Sequence, residues 1–279
     1  MFKRTALVAG IGLAISATAH AEYNWEAGAA ITGGDVSSLS VGGTYYFDEV
    51  DDDKGPHGEA AFIDRESSLS LSYTDGETDS DETPDLDIST FGADLRMIFG
   101  DGGWIVDLGY DYSEPELADG PDAFDTEVDI ITAGVGKYLW ENTTLVLSYI
   151  YTDVSVETDG FGEFEGDVDS YRADFDHLWL FENDGGFAVH AAYGFVDVEN
   201  RDDIDIYEID GTWYICRDFG IGAGYRNTDD DGLELEEYGV FAEYFITPGV
   251  AVTLEYVEGE IEDTDVETDS YLIGVRARF

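Results

Sequence analysis

Tyr271-Leu272-Ile273-Gly274-Val275-Arg276-Ala277-Arg278-Phe279 alternates without a break. Tyr271, Ile273, Val275, Ala277 and Phe279 make one apolar face, and Leu272, Gly274, Arg276 and Arg278 make a face with two arginines. A period of two is that of a β-strand whose faces meet different surroundings.

Working back along the chain, five segments repeat the pattern, each opening on a tight turn and ending in a tyrosine or an aromatic pair. Gly100-Asp101-Gly102-Gly103 precedes Trp104, Val106, Leu108 and Tyr110, and Glu141-Asn142-Thr143 precedes Leu145, Leu147, Tyr149 and Tyr151. Asn183-Asp184-Gly185-Gly186 precedes Phe187, Val189, Ala191, Tyr193 and Phe195. Arg217-Asp218 precedes Phe219, Ile221, Ala223 and Tyr225, and Thr247-Pro248-Gly249 precedes Val250, Val252, Leu254 and Tyr256. These are hairpin turns. A strand of matching alternation enters four of them, such as Phe91, Ala93, Leu95, Met97 and Phe99. For the strand before the second turn we take Val128, Ile130, Thr132, Gly134, Gly136 and Tyr138 as the apolar face, because the other register turns Lys137 outward. Trp25–Ile31, Leu39–Phe47 and Leu69–Tyr73 add three strands, for a total of about 14.

The opposite connections are longer and acidic: 75–85, 114–125, 155–167, 199–203, 228–232 and 259–267. Trp104, Trp140, Trp179 and Trp213 gather at the short-turn end, and Tyr110, Tyr149, Tyr193, Tyr225, Tyr256 and Tyr271 at the other. Six to eight residues separate the groups, roughly 20 to 26 Å of strand. This matches the ~25 Å apolar band between the aromatic girdles of a membrane barrel. The expected fold is therefore all-β: a transmembrane antiparallel up-and-down barrel with short periplasmic turns and longer acidic extracellular loops.

Two resemblances point the same way. The last strand, ending on Phe279, resembles the closing strand of bacterial outer-membrane barrels, which implies recognition by the barrel assembly machinery. Gly42-Gly43-Thr44-Tyr45-Tyr46-Phe47, Lys54-Gly55-Pro56 and Glu59-Ala60-Ala61-Phe62 resemble a porin family of Gram-negative bacteria. The similarity is specific over about residues 40–75, and His57 and Asp51-Asp52-Asp53 depart from the pattern. It implies a porin and assigns neither solute nor catalytic residue. The connection 48–65 is long for a periplasmic turn, yet no segment between strands suggests a deep plug.

Residues 1–21 read as a cleaved secretory signal, with Lys3 and Arg4, an apolar core from Ala6 to Ala17, and Ala19-His20-Ala21 before Glu22. The barrel then occupies 22–279, in the outer membrane. From Glu22 onward, ten basic residues stand against 64 acidic ones, a formal charge of −54. That excludes nucleic acid as a partner. With 43% hydrophobic residues the chain nevertheless folds. The single Cys216 permits no internal disulfide.

If the apolar faces meet lipid, their alternates line a lumen. The acidic candidates for selectivity are Asp94, Asp107, Asp111, Asp174, Asp176, Glu208, Glu243 and Glu255, joined by Glu26, Asp129, Asp210 and Glu237. The basic set is Arg96, Lys137, Arg172, Arg226, Arg276 and Arg278, with Arg172 and Arg226 expected to face Asp94, Asp107 and Asp174 across the lumen. A net-acidic wet wall favours cations. The expectation is passive diffusion of small hydrophilic solutes and ions. The alternative is a non-conducting barrel serving as a structural or adhesive surface protein. No cofactor is expected. Acidic runs such as Asp229-Asp230-Asp231-Gly232 offer weak Ca²⁺ or Mg²⁺ binding, or bridges to outer-membrane lipids and lipopolysaccharide, without reproducing a calcium-loop spacing. A homo-oligomer contact and a lipid-facing surface look alike in such a pattern. Catalysis is not expected: His190 points inward and His177 outward, so they form no pair. His177 on the lipid face calls for a local bulge or a subunit contact.

Overall fold

The computed structural model describes residues 22–78, 86–100, 102–117, 124–158, 162–197, 204–230, 233–261 and 267–279. Residues 1–21, expected to be a secretory signal, lie outside them, as do residues 231 and 232 of the acidic run. The first strands are β1 (Glu22–Gly34), β2 (Val36–Asp51), β3 (Ser68–Thr78), β4 (Asp87–Phe99) and β5 (Trp104–Leu117). β6 (Phe124–Trp140), β7 (Thr143–Thr158), β8 (Gly162–Leu180), β9 (Gly186–Asp197) and β10 (Ile204–Cys216) follow. β11 (Phe219–Asp230), β12 (Leu233–Thr247), β13 (Val250–Ile261) and β14 (Glu267–Arg278) complete the set. Each strand pairs with its sequence neighbours, and β14 returns to β1, giving a closed antiparallel barrel. Closure leaves no strand edge, as a wall surrounded by hydrocarbon requires.

The seam joins Ala27 to Ala277 and Ile31 to Ile273. Phe279 completes it by exchanging two 2.9 Å backbone hydrogen bonds with Trp25. The five short turns fall where the sequence places them. In the first, Gly100 and Gly103 adopt φ of 73° and 60°, a region open to glycine at little cost.

The apolar alternates cover the outside. Trp140 is 69% exposed, and Leu147 and Val240 are each 56% exposed, an unfavourable surface in water but a suitable one in lipid. All five tryptophans are exposed on the outside at the short-turn end. Toward the loop end, outward tyrosine hydroxyls donate to carboxylates: Tyr110 to Asp129 (2.6 Å), Tyr149 to Asp169 (2.5 Å), Tyr193 to Asp205 (2.7 Å) and Tyr225 to Glu236 (2.6 Å). Much of the acid there is on paired strand rather than loop, because β7 and β8 stay in register out to Thr158 and Gly162.

One strand reverses its expected faces. In β6, Val135 pairs with Val106, Ala133 with Leu108 and Ile131 with Tyr110, so the odd-numbered residues face outward. Tyr138, expected outside, is inside and 5% exposed. Lys137, expected in the lumen, lies outside with its ammonium 5.2 Å from the Trp104 ring centroid. At the girdle a lysine can lay its stem on apolar surface and keep its charge at the interface. The same reversal moves Asp129 from the lumen to the outside.

The connection from β2 to β3 is folded. It contains two 3₁₀ turns, Asp52–Lys54 and His57–Glu59, and a short helix α1 (Ala60–Asp64). Arg65 ends the helix in the left-handed conformation, φ 61°. This insert turns into the short-turn mouth of the barrel. Around it lie buried inward side chains of the wall, among them Ile105, Tyr138, Val146, Leu178, Tyr214 and Phe245. The expectation was of no deep plug; the insert is short and folds at this mouth, a placement that the sequence did not indicate.

Candidate functional site

The inner wall and the insert together form the site. The insert is held from several strands at once. The His57 N–H donates to the carbonyl of Arg217 (3.0 Å), and Arg278 Nη1 donates to the His57 carbonyl (2.8 Å). Tyr214 donates to Glu59 (2.7 Å), and Tyr138 to the carbonyl of Phe62 (3.0 Å). Arg65 Nη2 donates to the Glu141 carbonyl (2.8 Å), and its guanidinium lies 4.5 Å from the Tyr138 ring centroid. Arg217 also pairs with Asp53 (3.1 Å). These contacts tie the insert to β6, β10 and β14 and to two short turns, so it spans the mouth.

The docked insert buries ionisable groups. Burial pushes the Asp52 carboxyl up to about 6, opposed by the positive charges of Arg278 and Arg217 and reinforced by Asp53 and Asp51. Burial also raises Glu59 and lowers the His57 imidazole. Asp52 and His57 lie 3.4 Å apart, each 2% exposed. A neutral acid beside a neutral imidazole is the state that such burial favours.

Beyond the insert, cations and carboxylates share the wall. Arg96 makes a two-point contact with Asp107 on the adjacent strand, 2.9 and 2.8 Å. Arg172 binds Asp174 (2.7 Å) on its own strand and Glu208 (3.0 Å) on β10. Arg226 approaches Glu237 at 3.8 Å. Arg278 pairs with Glu26 (2.8 Å), and Arg276 with Glu26 (3.3 Å) and Glu243. The expected basic patch of Arg172 and Arg226 facing Asp94, Asp107 and Asp174 across the lumen is thus corrected. Residues two apart on a strand, and opposite residues on neighbouring strands, lie close enough to pair on one wall. Among the described residues, Asp94, Asp111, Asp210 and Glu255 have no lysine or arginine partner within ion-pair distance.

The wall differs around its circumference. A groove of about 490 Å³ along β1 to β3 and β14 is lined by Ser40, Thr44, Ser70 and Ser72, with Glu26, Glu243 and Arg276 at its insert end. A second, of about 480 Å³, is lined by Glu208, Asp210, Arg226, Glu237 and Glu255. One side is a hydroxyl surface, with ladder contacts such as Ser40 to Thr74 and Thr44 to Ser70, both 2.9 Å. The other is charged. Phe241 also projects inward, its ring packed so closely on Gly222 that a Cβ there would collide with it.

His177 pairs with Thr143, beside the β-bulge between Tyr138 and Trp140. Its Nδ1 lies 2.6 Å from the Thr143 hydroxyl, and its ring packs edge-on against Trp179 at 4.0 Å. The functional groups that the sequence reading missed are those of the insert: Asp52, His57 as a buried group, and Glu59. Their signal was the excess length of that connection.

The class that this fold defines is the closed, 14-stranded antiparallel up-and-down β-barrel, and the solved structures similar to it are outer-membrane barrels. Omp33, an outer membrane protein of Acinetobacter baumannii, is similar over 93% of this chain and 99% of its own, with 19% identity and a TM-score of 0.63. The CymD monoaromatic hydrocarbon channel is similar over 94% of this chain and 89% of its own, at 9% identity and a TM-score of 0.60. A deltaS2S3 mutant of the TodX monoaromatic hydrocarbon channel covers 98% and 94% at 14% identity, with a TM-score of 0.54. No family model and no curated protein matches the chain. At these identities the likeness is one of fold.

Proposed function

We propose that this protein is an outer-membrane channel for passive diffusion of small hydrophilic solutes and ions, with a preference for cations. The observation that carries this reading is the inner wall. Its arginines are all paired with carboxylates, while Asp94, Asp111, Asp210 and Glu255 keep uncompensated charge. A wall with that balance attracts cations and repels anions. The outer-membrane channels among the similar structures support a passive role over a catalytic one.

The insert favours a second reading, a barrel closed at its short-turn mouth that serves as a structural or adhesive surface protein. Reconstitution of the protein in a planar bilayer separates the two. Stepwise conductance in KCl, with a cation-selective reversal potential under a salt gradient, is the expected result. Anion selectivity would overturn the role given to the acidic wall. Folded barrels that stay silent, including after the insert is removed, would overturn the channel.

A further inference from the structure

We propose that the inner wall carries a binding site for a divalent transition-metal ion, formed by His190 of β9 with Glu208 and Asp210 of β10. One ligand atom from each of the three lies within 4.8 Å of the other two. Around a tetrahedral Zn²⁺ with bonds of ~2.0–2.2 Å the ligand atoms stand about 3.4 Å apart, so the three side chains need to draw in by little more than an ångström to hold the ion.

The imidazole is already oriented. His190 sits between Asp176 and Asp210 as its cross-strand partners on β8 and β10. Its Nδ1 is 2.8 Å from Asp176 Oδ1, and the other oxygen of Asp176 accepts a hydrogen bond from Thr144 (2.8 Å). A carboxylate that holds one ring nitrogen of a histidine whose other nitrogen faces the ligand site is the usual outer shell of a histidine metal ligand. With Nδ1–H donating to the Asp176 carboxylate, the neutral ring would present its lone pair at Nε2. That lone pair faces further acceptors, Asp174 at 3.8 Å and Glu208 at 4.0 Å. Acceptors converging on acceptors call for a cation between them.

A cation is in fact drawn there. The Arg172 guanidinium, which can only donate, lies 3.5 Å from Nε2 and 3.0 Å from Glu208. It also has a separate hold on Asp174, at 2.7 Å. Arg172 can therefore release Glu208 to a metal ion and remain paired. Mixed nitrogen and oxygen ligands select a first-row transition ion over Ca²⁺ or Mg²⁺, which favour oxygen alone. That distinguishes this site from the many acidic groups elsewhere on the chain.

The test is Zn²⁺ titration by calorimetry, with the folded barrel in detergent micelles and excess Mg²⁺ to occupy oxygen-only clusters. One Zn²⁺ site per barrel is expected. His190→Gln and Glu208→Gln should each weaken it by at least about tenfold, and Asp176→Asn, which removes only the orienting carboxylate, by about tenfold. Arg172→Gln should tighten it, since the competing cation is gone. Heat-modifiable gel migration verifies that each variant is folded. No Zn²⁺ uptake above the Mg²⁺ background, or uptake unchanged in both folded His190→Gln and Glu208→Gln, would overturn the site. Because binding is measured directly, the result stands whether or not the barrel conducts.

Discussion

The barrel wall and the fifteen-residue insert 52–66 solve opposite problems. The wall has lipid on one side and polar groups on the other, so every strand needs only a two-residue repeat. Its stability comes from a closed ladder of backbone hydrogen bonds, and its side chains can vary within their type. The insert has few repeating bonds. It is held by particular side chains, with a buried histidine, a buried Asp52 and a partly buried Glu59 whose charge is unwelcome there. A wall of this kind tolerates change; a docked insert of this kind depends on a few contacts and on pH.

Removing the insert should give the largest effect. With residues 52–66 replaced by an Asn-Gly turn, β2 and β3 can still pair, and the barrel should fold as judged by heat-modifiable migration. Single-channel conductance should rise severalfold. Unchanged conductance would show that the insert does not obstruct the mouth.

Next comes the Tyr214–Glu59 contact. Tyr214→Phe leaves the buried Glu59 carboxyl without its donor, a loss of about 1–3 kcal/mol. More frequent opening events in bilayer recordings are expected, together with faster proteolysis of the insert and no loss of the barrel. If opening frequency does not change, the tether is not what holds the insert.

Acidity should tune the same equilibrium. Below pH 4 the Asp52 carboxyl is largely protonated whether the insert is docked or free, and docking carries no charge penalty. Between about 4 and 6 the free insert ionises first. Docking therefore weakens as pH rises through that window and levels off above 6, where the docked carboxyl is charged in a buried place. Glu59, raised likewise, acts in the same direction. His57, lowered by burial, opposes them, because the free imidazole takes up a proton as pH falls. Open probability should therefore increase from pH 4 to 7, and Asp52→Asn should flatten most of that rise. A rise of the same size in Asp52→Asn would assign it elsewhere.

On the wall the effects are smaller. Arg96→Gln frees Asp107 from its two-point contact and should shift the reversal potential toward stronger cation selectivity. Asp111→Asn should shift it the other way. Lys137→Gln should leave selectivity unchanged, since the ammonium lies outside over Trp104. A measurable shift in that variant would restore the register first expected for β6.

The alternation of Phe91 to Phe99, or of Tyr271 to Phe279, makes a strand and its two faces legible, because lipid and water sort side chains at every second position. The five short turns, three of them bearing glycine or proline, and the sorting of tryptophan and tyrosine by height make the barrel legible as well. The candidate site was less so. Val128 to Tyr138 is apolar in both registers, so only pairing with β5 decides which side Lys137 takes. The partners of Arg172 and Arg226 also depended on distances between strands, which a list of inward residues does not contain. Most of all, the sequence marks 48–65 as too long for a turn but not where it goes. Local alternation is written residue by residue, so the chain alone determined a closed antiparallel barrel with one apolar and one polar face to its wall. Where the insert docks, which carboxylates are neutralised, and how His190 meets Asp176, Glu208 and Asp210 arise from residues far apart in the chain, and only the closed barrel brings them together.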